Sequence, residues 1–539
     1  MSSFRKHSIL ASIAVFGSRL AGLVREVIFA FLFGAQPALD AFITAFRIPN
    51  LLRDLFAEGA LSQAFVTVFS QKMQTENDAK AWDLANRIFG VLILVLTIFV
   101  ALGIIFSPFI VSGIATGFEG EKLQLTILLN RILFPFILVV SMAALAMGML
   151  NARGRFGLPQ SASTFFNISS IITGVGLAYC FAPHFIGGMA KYLFGMSSKP
   201  VVTWEEARLA IVGMACGALI GGFVQWFVLM PSLKKMGFHF HPSLDWKNPD
   251  VKKVFKLMVP AIIGGAAVQI NVLINTNFAS FLSDGSISWL NYAFRLMQFP
   301  LGLFGVSVAL AMTPAYSREH AKNDDDAKNK ILSDSIRMII YLCVPATLGL
   351  ILFAKPIMAL IYQYGQFSAF DTEQSAYALQ AYAVGLTFYS LIKVYQPAFL
   401  ALGRAKILMG VSLFSIASNI ILNSFFVFYF HLGHWGLALG TSIVAGINWI
   451  LLARKYRHVT LVSSKGMFSF LFKVFFSASF AIGGIYFLLN DFITRAPMVL
   501  FPIVFAGVIY ILITMKLNIE EALLLKKFIL RKKAGLFQK

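Results

Sequence analysis

The chain has 539 residues, of which 58% are hydrophobic and only 13% are charged. Soluble domains carry roughly 25% charged residues, so this composition excludes an ordinary soluble domain and indicates a membrane protein with many spans. The net charge of +21 lies in short loops between apolar runs, which argues against a nucleic-acid partner.

The apolar runs predict the topology. Fourteen runs, the first at 8–34 and the last at 496–515, are near or above the ~20 residues that a membrane-spanning helix needs. Loops on one side of these spans hold 30 Lys and Arg residues, and loops on the other side hold five. Because basic loops stay on the cytoplasmic side, we predict an all-α polytopic membrane protein with about 14 transmembrane helices and both termini in the cytoplasm.

The first span contains charged residues in the stretch "SRLAGLVRE", residues 18–26. Arg19 and Glu26 are seven positions apart and so lie near the same helical stripe. We therefore predict a local ion pair between them, whereas Arg25 has no acid at that spacing within the span.

The second span reads "FRIPNLLRDLFAEG" over residues 46–59 and holds Arg47, Arg53, Asp54 and Glu58. Arg47 and Asp54 repeat the seven-residue spacing. Pro49 removes one backbone hydrogen bond and biases Ile48 away from helical geometry, so we predict a break in this helix.

Deep cations outnumber deep acids along the chain. Three acids (Glu26, Asp54 and Glu58) face six cations: Arg19, Arg25, Arg47, Arg53, Arg295 and Lys393. A charge facing lipid is too costly, so these side chains must face protein or water. The surplus predicts a wet cleft that binds an anion, and the planar fork of arginine suits phosphate. Purely structural ion pairing is the alternative. Three further cations near span ends (Arg337, Lys355 and Lys473) are predicted to extend to the membrane surface.

Two stretches indicate an internal repeat. "LDAFITAFRIPN" (39–50) is similar to "SWLNYAFRLMQFP" (288–300), an offset of about 250 residues or six spans. An even number of spans preserves orientation, so we predict two parallel-repeat lobes of six helices plus two C-terminal helices. The predicted boundaries are 1–236 for the N-terminal lobe, 237–458 for the C-terminal lobe, and 459–539 for spans 13–14 with a basic cytoplasmic tail.

No phosphate-binding loop, nucleophile elbow or zinc motif is found in the sequence, so we predict a transporter that is not an enzyme and needs no cofactor. Its energy would come from an ion gradient, the membrane potential or the gradient of its substrate. Four intramembrane polar residues are candidate ligands of a monovalent cation: Asn275, Asn419, Asn423 and Thr441. Interhelical hydrogen bonding is the preferred interpretation of these residues.

Several stretches closely resemble the MurJ (MviN) lipid II flippases of the MOP exporter superfamily. They are "SRLAGLVRE", "FGAQPALDAFITAFRIPNLLRDLFAEGALSQAFV", "INTNFASFLSDGSISWLNYAFRLMQFP" and "YQYGQFSAFD". The resemblance implies a fourteen-span protein of the bacterial inner membrane. It would move lipid II, the undecaprenyl-pyrophosphate-linked peptidoglycan precursor, from the cytoplasmic to the periplasmic leaflet by alternating access. Lipid II and membrane lipids would be its partners.

The resemblance also implies site residues. The family's cavity arginines correspond to Arg19, Arg25, Arg53 and Arg295, and its acidic and polar positions correspond to Asp40, Asn50 and Glu58. To these we add Lys393 on the ground of its depth alone. The last two spans would form a groove for the lipid tail.

This sequence departs from the family around Arg295. Relatives read Ala-Asp-Arg-Leu-Met-Glu there, whereas this chain has Phe294 and Gln298 at the two acidic positions. Any role of those carboxylates cannot be transferred, and the predicted cleft is more positive without them.

Two alternatives belong to the same superfamily. A flippase for another polyprenyl-linked oligosaccharide would have similar charges, and only the motifs favour lipid II over it. An exporter of cationic drugs needs an acidic cleft, which the surplus of cations disfavours.

Overall fold

The computed structural model describes residues 2–53, 61–457, 466–489 and 498–524, and all regular structure in these ranges is helical. The chain divides into two compact units, Met1–Ser288 with Tyr364–Ser368, and Trp289–Gln363 with Ala369–Lys539. The first unit contains α1 (Ser2–Phe33), α2 (Pro37–Leu52), α3 (Ser62–Thr75), α4 (Asp78–Ile105), α5 (Ser107–Ile114), α6 (Gly120–Leu133), α7 (Phe136–Ala152), α8 (Gly157–Phe181), α9 (Pro183–Leu193), α10 (Trp204–Phe227), α11 (Met230–Lys234) and α12 (Pro249–Ser280).

The boundary between the two units lies within α13 (Ser286–Pro300), and the second unit begins at Trp289. It continues with α14 (Ser307–Ala321), α15 (Asp325–Leu352), α16 (Ala354–Tyr362), α17 (Ala369–Ala401), α18 (Ala405–Ser424), α19 (Gly433–Arg457), α20 (Met467–Ala478), α21 (Gly484–Leu488) and α22 (Leu500–Lys516). Among the described residues, π-helical segments lie at Leu301–Val306, Phe425–Tyr429 and Ser479–Gly483, and Arg53 and Leu61 also have π-helical geometry.

The predicted fold class is confirmed. Within the described ranges, nine helical segments are long and apolar enough to cross a membrane. The other five predicted spans correspond to α1, to α2 with α3, and to α12, α17 and α22. The chain is therefore a multi-pass, all-α membrane protein.

Helix bounds repeat along the chain. α4 and α15 each have 28 residues and begin at Asp78 and Asp325, which are 247 positions apart. The short helices that follow them, α5 and α16, begin at Ser107 and Ala354 with the same separation. The offset predicted from two short motifs thus extends to the order and length of the helices. The predicted lobe boundaries themselves stay a prediction, because packing rather than repeat symmetry defines the two compact units.

The predicted break at Pro49 is displaced. α2 continues through Ile48 and Pro49 and ends at Leu52, with Arg53 in a π-helical turn. Pro49 still lacks its hydrogen bond, yet flanking contacts bury Ile48 and Pro49 and hold the helical geometry. Residues 54–60 lie outside the described ranges. In the second repeat, α13 likewise ends at Pro300 and the π-helical segment Leu301–Val306 follows.

The segment between α11 and α12 is fastened to the first unit. Asn86 on α4 donates to the His239 carbonyl at 2.9 Å and accepts from the His241 amide at 2.9 Å. Phe238 is buried among aromatic rings of this unit, including Trp82 at 5.4 Å between ring centroids. Two ion pairs, Arg87–Asp245 and Lys72–Asp250, add charge-assisted contacts. The segment therefore belongs to the packed core of the first unit and is not a free linker.

The C-terminal helices pack inside the second unit. Arg337 on α15 donates to Glu521 at 2.6 Å and lies 4.5 Å from the centre of the Phe470 ring on α20. Farther along α15, Tyr341 forms a 3.1 Å hydrogen bond with Thr514 on α22. Arg337 therefore has an acidic partner on a later segment, while its extension to the membrane surface stays a prediction.

The ion pair between Lys72 and Asp250 predicts a pH-dependent stability. The hydrogen bond that Lys72 donates to Asp250 raises the pKa of Lys72 above its ordinary value of 10.5. A raised pKa means that the contribution is present below pH 10.5 and is lost as the pH rises through the higher folded-state pKa. Because both side chains are only partly buried, solvent screening limits the pair, and Asp250→Asn should destabilise the protein by about 0.5–1 kcal/mol near pH 7.

The measurement is the apparent melting temperature of both proteins in detergent at pH 7 and above pH 11. The difference between wild type and Asp250→Asn should shrink at high pH. The control is Asp326→Asn, an exposed residue near the start of α15. A difference that is constant across pH, or equal in the control, would contradict the role of Lys72.

Candidate functional site

Asp40 is the most completely bonded of the predicted site residues. It lies in the first turn of α2 with 1% of its surface exposed. Its carboxylate accepts from the Gly285 amide at 2.8 Å, from the Ser288 amide at 2.9 Å and from the Ser288 hydroxyl at 2.7 Å. Lys122 on α6 adds an ion pair at 3.0 Å. Four donors offset the cost of burying this charge, so Asp40 caps the N-terminus of α13 from a neighbouring helix.

Lys122 and Ser288 are not identifiable from the sequence as partners of Asp40. The sequence identifies Lys122 only as a basic residue of a predicted outer loop. In the structure, Lys122 forms ion pairs with Asp40 at 3.0 Å and with Asp284 at 2.7 Å. The signal that is present is the short turn "SDGS", residues 283–286, directly before a helix. A substrate contact of Asp40 stays a prediction.

Arg25 is well enclosed among the predicted arginines. Its side chain is 13% exposed and forms an ion pair with Glu26 at 3.2 Å. Its guanidinium also lies 5.5 Å from the centre of the Phe166 ring on α8. The seven-residue spacing predicts Arg19 as the partner of Glu26. The structure instead shows the adjacent Arg25 in this pair, while the Arg19 side chain is exposed.

The close packing of α1 on α8 explains this placement. A Cβ atom added at Gly22 would lie 3.7 Å from the side-chain amide nitrogen of Asn167, and Asn167 donates within its own helix to Ser163 at 2.9 Å. One face of α1 is thereby held against protein. Arg25 and Glu26 lie at the edge of that face, where ring and carboxylate contacts replace water.

Two further predicted site residues of the first unit lie at the end of α2. Asn50 is half-buried in the last turn of the helix, and Arg53 is half-buried in the π-helical turn that follows it. Glu58 lies outside the described residues, so its predicted role is untested. Arg53 thus lies where the regular hydrogen-bond ladder of α2 ends.

In the second unit, Arg295 and Lys393 are both exposed, on α13 and α17. Phe294 packs against Tyr382 of α17 with ring centroids 5.3 Å apart, whereas Gln298 is exposed. The phenylalanine therefore has a packing role at its position. Gln298 is three positions after Arg295, so the two side chains can meet on one helical face.

The candidate cation ligands lie on three helices. Asn419 and Asn423 are one turn apart on α18 with 1% and 0% of their surface exposed, and Thr441 lies on α19 of the same unit. The Thr441 hydroxyl donates to the Leu437 carbonyl at 2.7 Å. Asn275 belongs to α12 of the first unit. Among the described residues, no group of three or more His, Cys, Asp or Glu side chains could hold a metal ion. Neutral amide and hydroxyl oxygens suit only a weakly held cation, and this ligand role stays a prediction.

Two cations predicted to extend to the membrane surface have protein partners. Lys355 lies 3.7 Å from Glu373 in an exposed ion pair. Lys473 donates to the Leu517 carbonyl at 3.4 Å, near the C-terminal end of α22. Lys355 thus neutralises the Glu373 carboxylate, and Lys473 places a positive charge at the C-terminal end of α22. Residue spacing within one helix does not predict either contact, because neither partner lies on the same helix as its lysine.

Comparison with known proteins gives the same family as the motifs. The family model described as lipid II flippase MurJ matches residues 29–506. A probable lipid II flippase MurJ of Vibrio cholerae is 36% identical over 458 residues, which cover 83% of this chain and 82% of that protein. The lipid II flippase MurJ of Burkholderia cenocepacia is 35% identical over 446 residues, covering 81% and 80%.

Solved structures agree with this assignment. A lipid II flippase MurJ in an inward closed conformation is similar with a TM-score of 0.75 and 26% identity, over 94% of this chain and 98% of that chain. An inward-facing multidrug resistance MATE transporter of the MOP superfamily has a TM-score of 0.64 at 14% identity, over 84% and 97%, and shows the fold alone. With a family match along nearly the whole chain and relatives above one-third identity, this chain belongs to the lipid II flippase MurJ family.

Proposed function

We propose that this protein moves lipid II from the cytoplasmic to the periplasmic leaflet of the bacterial inner membrane by alternating access. The observation that carries the proposal is the family match over residues 29–506. Deep arginines in both compact units support it, because a pyrophosphate needs fixed cations at membrane depth. The relatives are named for lipid II, so a flippase for another polyprenyl-linked oligosaccharide is not favoured.

The orientation follows from loop charge. With 30 basic residues in the predicted inside segments and five in the outside segments, both termini lie in the cytoplasm. Energy comes from an ion gradient, the membrane potential or the substrate's own gradient. A monovalent cation held by one or more of the candidate ligands, Asn275, Asn419, Asn423 and Thr441, is one way to couple transport to an ion gradient.

Arg25 captures the substrate in this proposal by changing its anionic partner. In the described structure its guanidinium contacts both Glu26 and the Phe166 ring. A pyrophosphate carries more charge than Glu26 and accepts two parallel hydrogen bonds from one guanidinium. Binding would therefore exchange the contact between Arg25 and Glu26 for one with the headgroup, while water in the open cleft meets the released Glu26 carboxylate, so neither charge is left isolated in the membrane. Arg19, Arg53, Arg295 and Lys393 add positive potential, while Asp40, Asn50 and Glu58 complete the proposed set.

The direct test of the function is depletion of the protein in its native cell. Lipid II should accumulate in the inner leaflet, and other polyprenyl-linked precursors should stay at their normal level. Accumulation of a different lipid-linked oligosaccharide would refute the proposed substrate.

Two arginine truncations test the headgroup site. Arg25→Ala and Arg295→Ala should each abolish transport while protein levels stay near normal, because each removes a guanidinium from a different unit. Growth of cells with each variant as the sole copy, together with an immunoblot of membranes, checks this. Arg131→Ala is the control, since Arg131 is exposed on α6 and is outside the proposed set. Full growth with either test variant would remove that residue from the site.

Arg53→Lys should lose most transport although the charge is retained. Lysine offers a point charge, whereas a phosphate clamp uses the two-pronged geometry of the guanidinium. Lipid II flipping by the purified variant in proteoliposomes measures the effect. Wild-type flipping by the lysine variant would show that Arg53 acts by charge alone.

The missing carboxylates near Arg295 allow a third test. Gln298→Glu places an acid three positions from Arg295 and should weaken lipid II binding by roughly 1–2 kcal/mol, a typical scale for a competing charge-assisted hydrogen bond. Adding Phe294→Asp should weaken it further, at some cost in folding because the ring contact with Tyr382 is lost.

The measurement is the affinity of each purified variant for lipid II at equal salt. Gln124→Glu, at an exposed position near the start of α6, controls for the added negative charge. Unchanged or tighter binding by Gln298→Glu would mean that an acid at this position does not compete with the headgroup for Arg295.

A further inference from the structure

The second unit contains a pocket that none of the proposed substrate residues lines. It has a volume of about 500 Å³ and lies between α15, α17 and α19. This volume is within the range of sites that hold small molecules. Its lining is mostly apolar and includes Ile351, Tyr377, Gln380, Val384, Trp435 and Leu439.

Two polar groups of the lining already have hydrogen-bond partners. The Gln380 side chain donates to the Ile351 carbonyl at 3.0 Å, which closes the C-terminal turn of α15 against α17. The Tyr377 hydroxyl donates to Glu373 at 2.8 Å. The pocket therefore suits an apolar occupant, because a polar molecule would find few hydrogen-bond partners in the lining.

The pocket lies near the ends of its three helices. Ile351 is next to the last residue of α15, Tyr377 is in the third turn of α17, and Trp435 is in the first turn of α19. Trp and Tyr concentrate where lipid headgroups meet the hydrocarbon. Val384, at 41% exposure, extends the lining about two turns deeper along α17.

Two residues of opposite charge adjoin the lining and are called its rim, since Glu373 bonds to Tyr377 and Lys355 pairs with Glu373. Lys355 and Glu373 form an ion pair at 3.7 Å, and their side chains are 64% and 43% exposed. Glu373 also accepts the Tyr377 hydroxyl, so the charged rim is continuous with the apolar lining. A zwitterionic headgroup, with one phosphate and one ammonium, complements this pair.

We propose that the pocket binds a phospholipid with a zwitterionic headgroup, its acyl chain against Val384, Trp435 and Leu439. The phosphate lies near Lys355 and the ammonium near Glu373. The site is separate from the lipid II headgroup residues. With both termini in the cytoplasm, as proposed above, α15 ends and α17 and α19 begin on the outer side, so the pocket lies in the outer leaflet.

The test uses the full chain in nanodiscs that contain a phosphatidylethanolamine with a photoreactive acyl chain. Cross-links mapped by mass spectrometry should concentrate in residues 377–384 and 435–439. Val384→Trp fills the pocket and should reduce labelling there about tenfold, as expected when about two chain methylenes lose their burial. Leu413→Trp is the matched control, because Leu413 is 65% exposed on α18, away from the lining.

A second variant tests the headgroup. Lys355→Gln should lower pocket labelling, whereas Lys191→Gln, at an exposed position on α9, should not. Labelling that persists in Val384→Trp, or that is spread evenly over exposed helix faces, would overturn the pocket. Equal labelling in Lys355→Gln and wild type would overturn the headgroup assignment. Displacement by lipid II but not by unlabelled phosphatidylethanolamine would assign the pocket to the transport substrate instead. None of these outcomes depends on flipping activity.

Discussion

The cost of an isolated charge in hydrocarbon governs this structure. An arginine or aspartate at membrane depth must find a partner or water, and each unsatisfied group costs several kcal/mol. Asp40 shows the fully paired solution, with four donors around a carboxylate of 1% exposure. Arg25 shows an intermediate solution, with a carboxylate and an aromatic face beside it. Arg295 and Lys393, which are exposed within spans, fit the solution in which charge faces water.

These ways of satisfying a charge differ in whether the charge can change its partner. A carboxylate with four donors stabilises one arrangement of its helices, because every lost donor leaves a buried charge less satisfied. An arginine paired with one neighbouring carboxylate can exchange that partner for a stronger anion only where water or another donor then meets the released carboxylate. The same constraint therefore separates charges that fix one arrangement of helices from charges whose partner can change, as the proposed function requires.

Hydropathy and loop charge are sufficient to predict the helices. The matching lengths of α4 and α15 show that even the internal repeat is detectable from short motifs. The ion-pair partners of these side chains are harder to predict from the sequence, because residue spacing within one helix identifies only neighbours on that helix. Glu521, the partner of Arg337, lies 184 positions away. Lys122 is 82 positions from Asp40. Tertiary packing sets both, and no local pattern encodes either.

Irregular backbone and deep charge coincide in this protein, and both follow from one rule. Within a membrane, non-helical backbone persists only where protein or water replaces the missing hydrogen bonds, which is also what a charge requires. Arg53 lies in the π-helical turn that ends α2. In the second repeat, Arg295 lies one and a half turns before the π-helical segment Leu301–Val306. Arg47, which aligns with Arg295 in the repeat, lies the same six positions before Arg53. The two costs are thus met at corresponding places in both repeats. A helix interrupted beside its arginine can alter its geometry without moving the charge into lipid, and this is the combination that alternating access to an anionic headgroup requires.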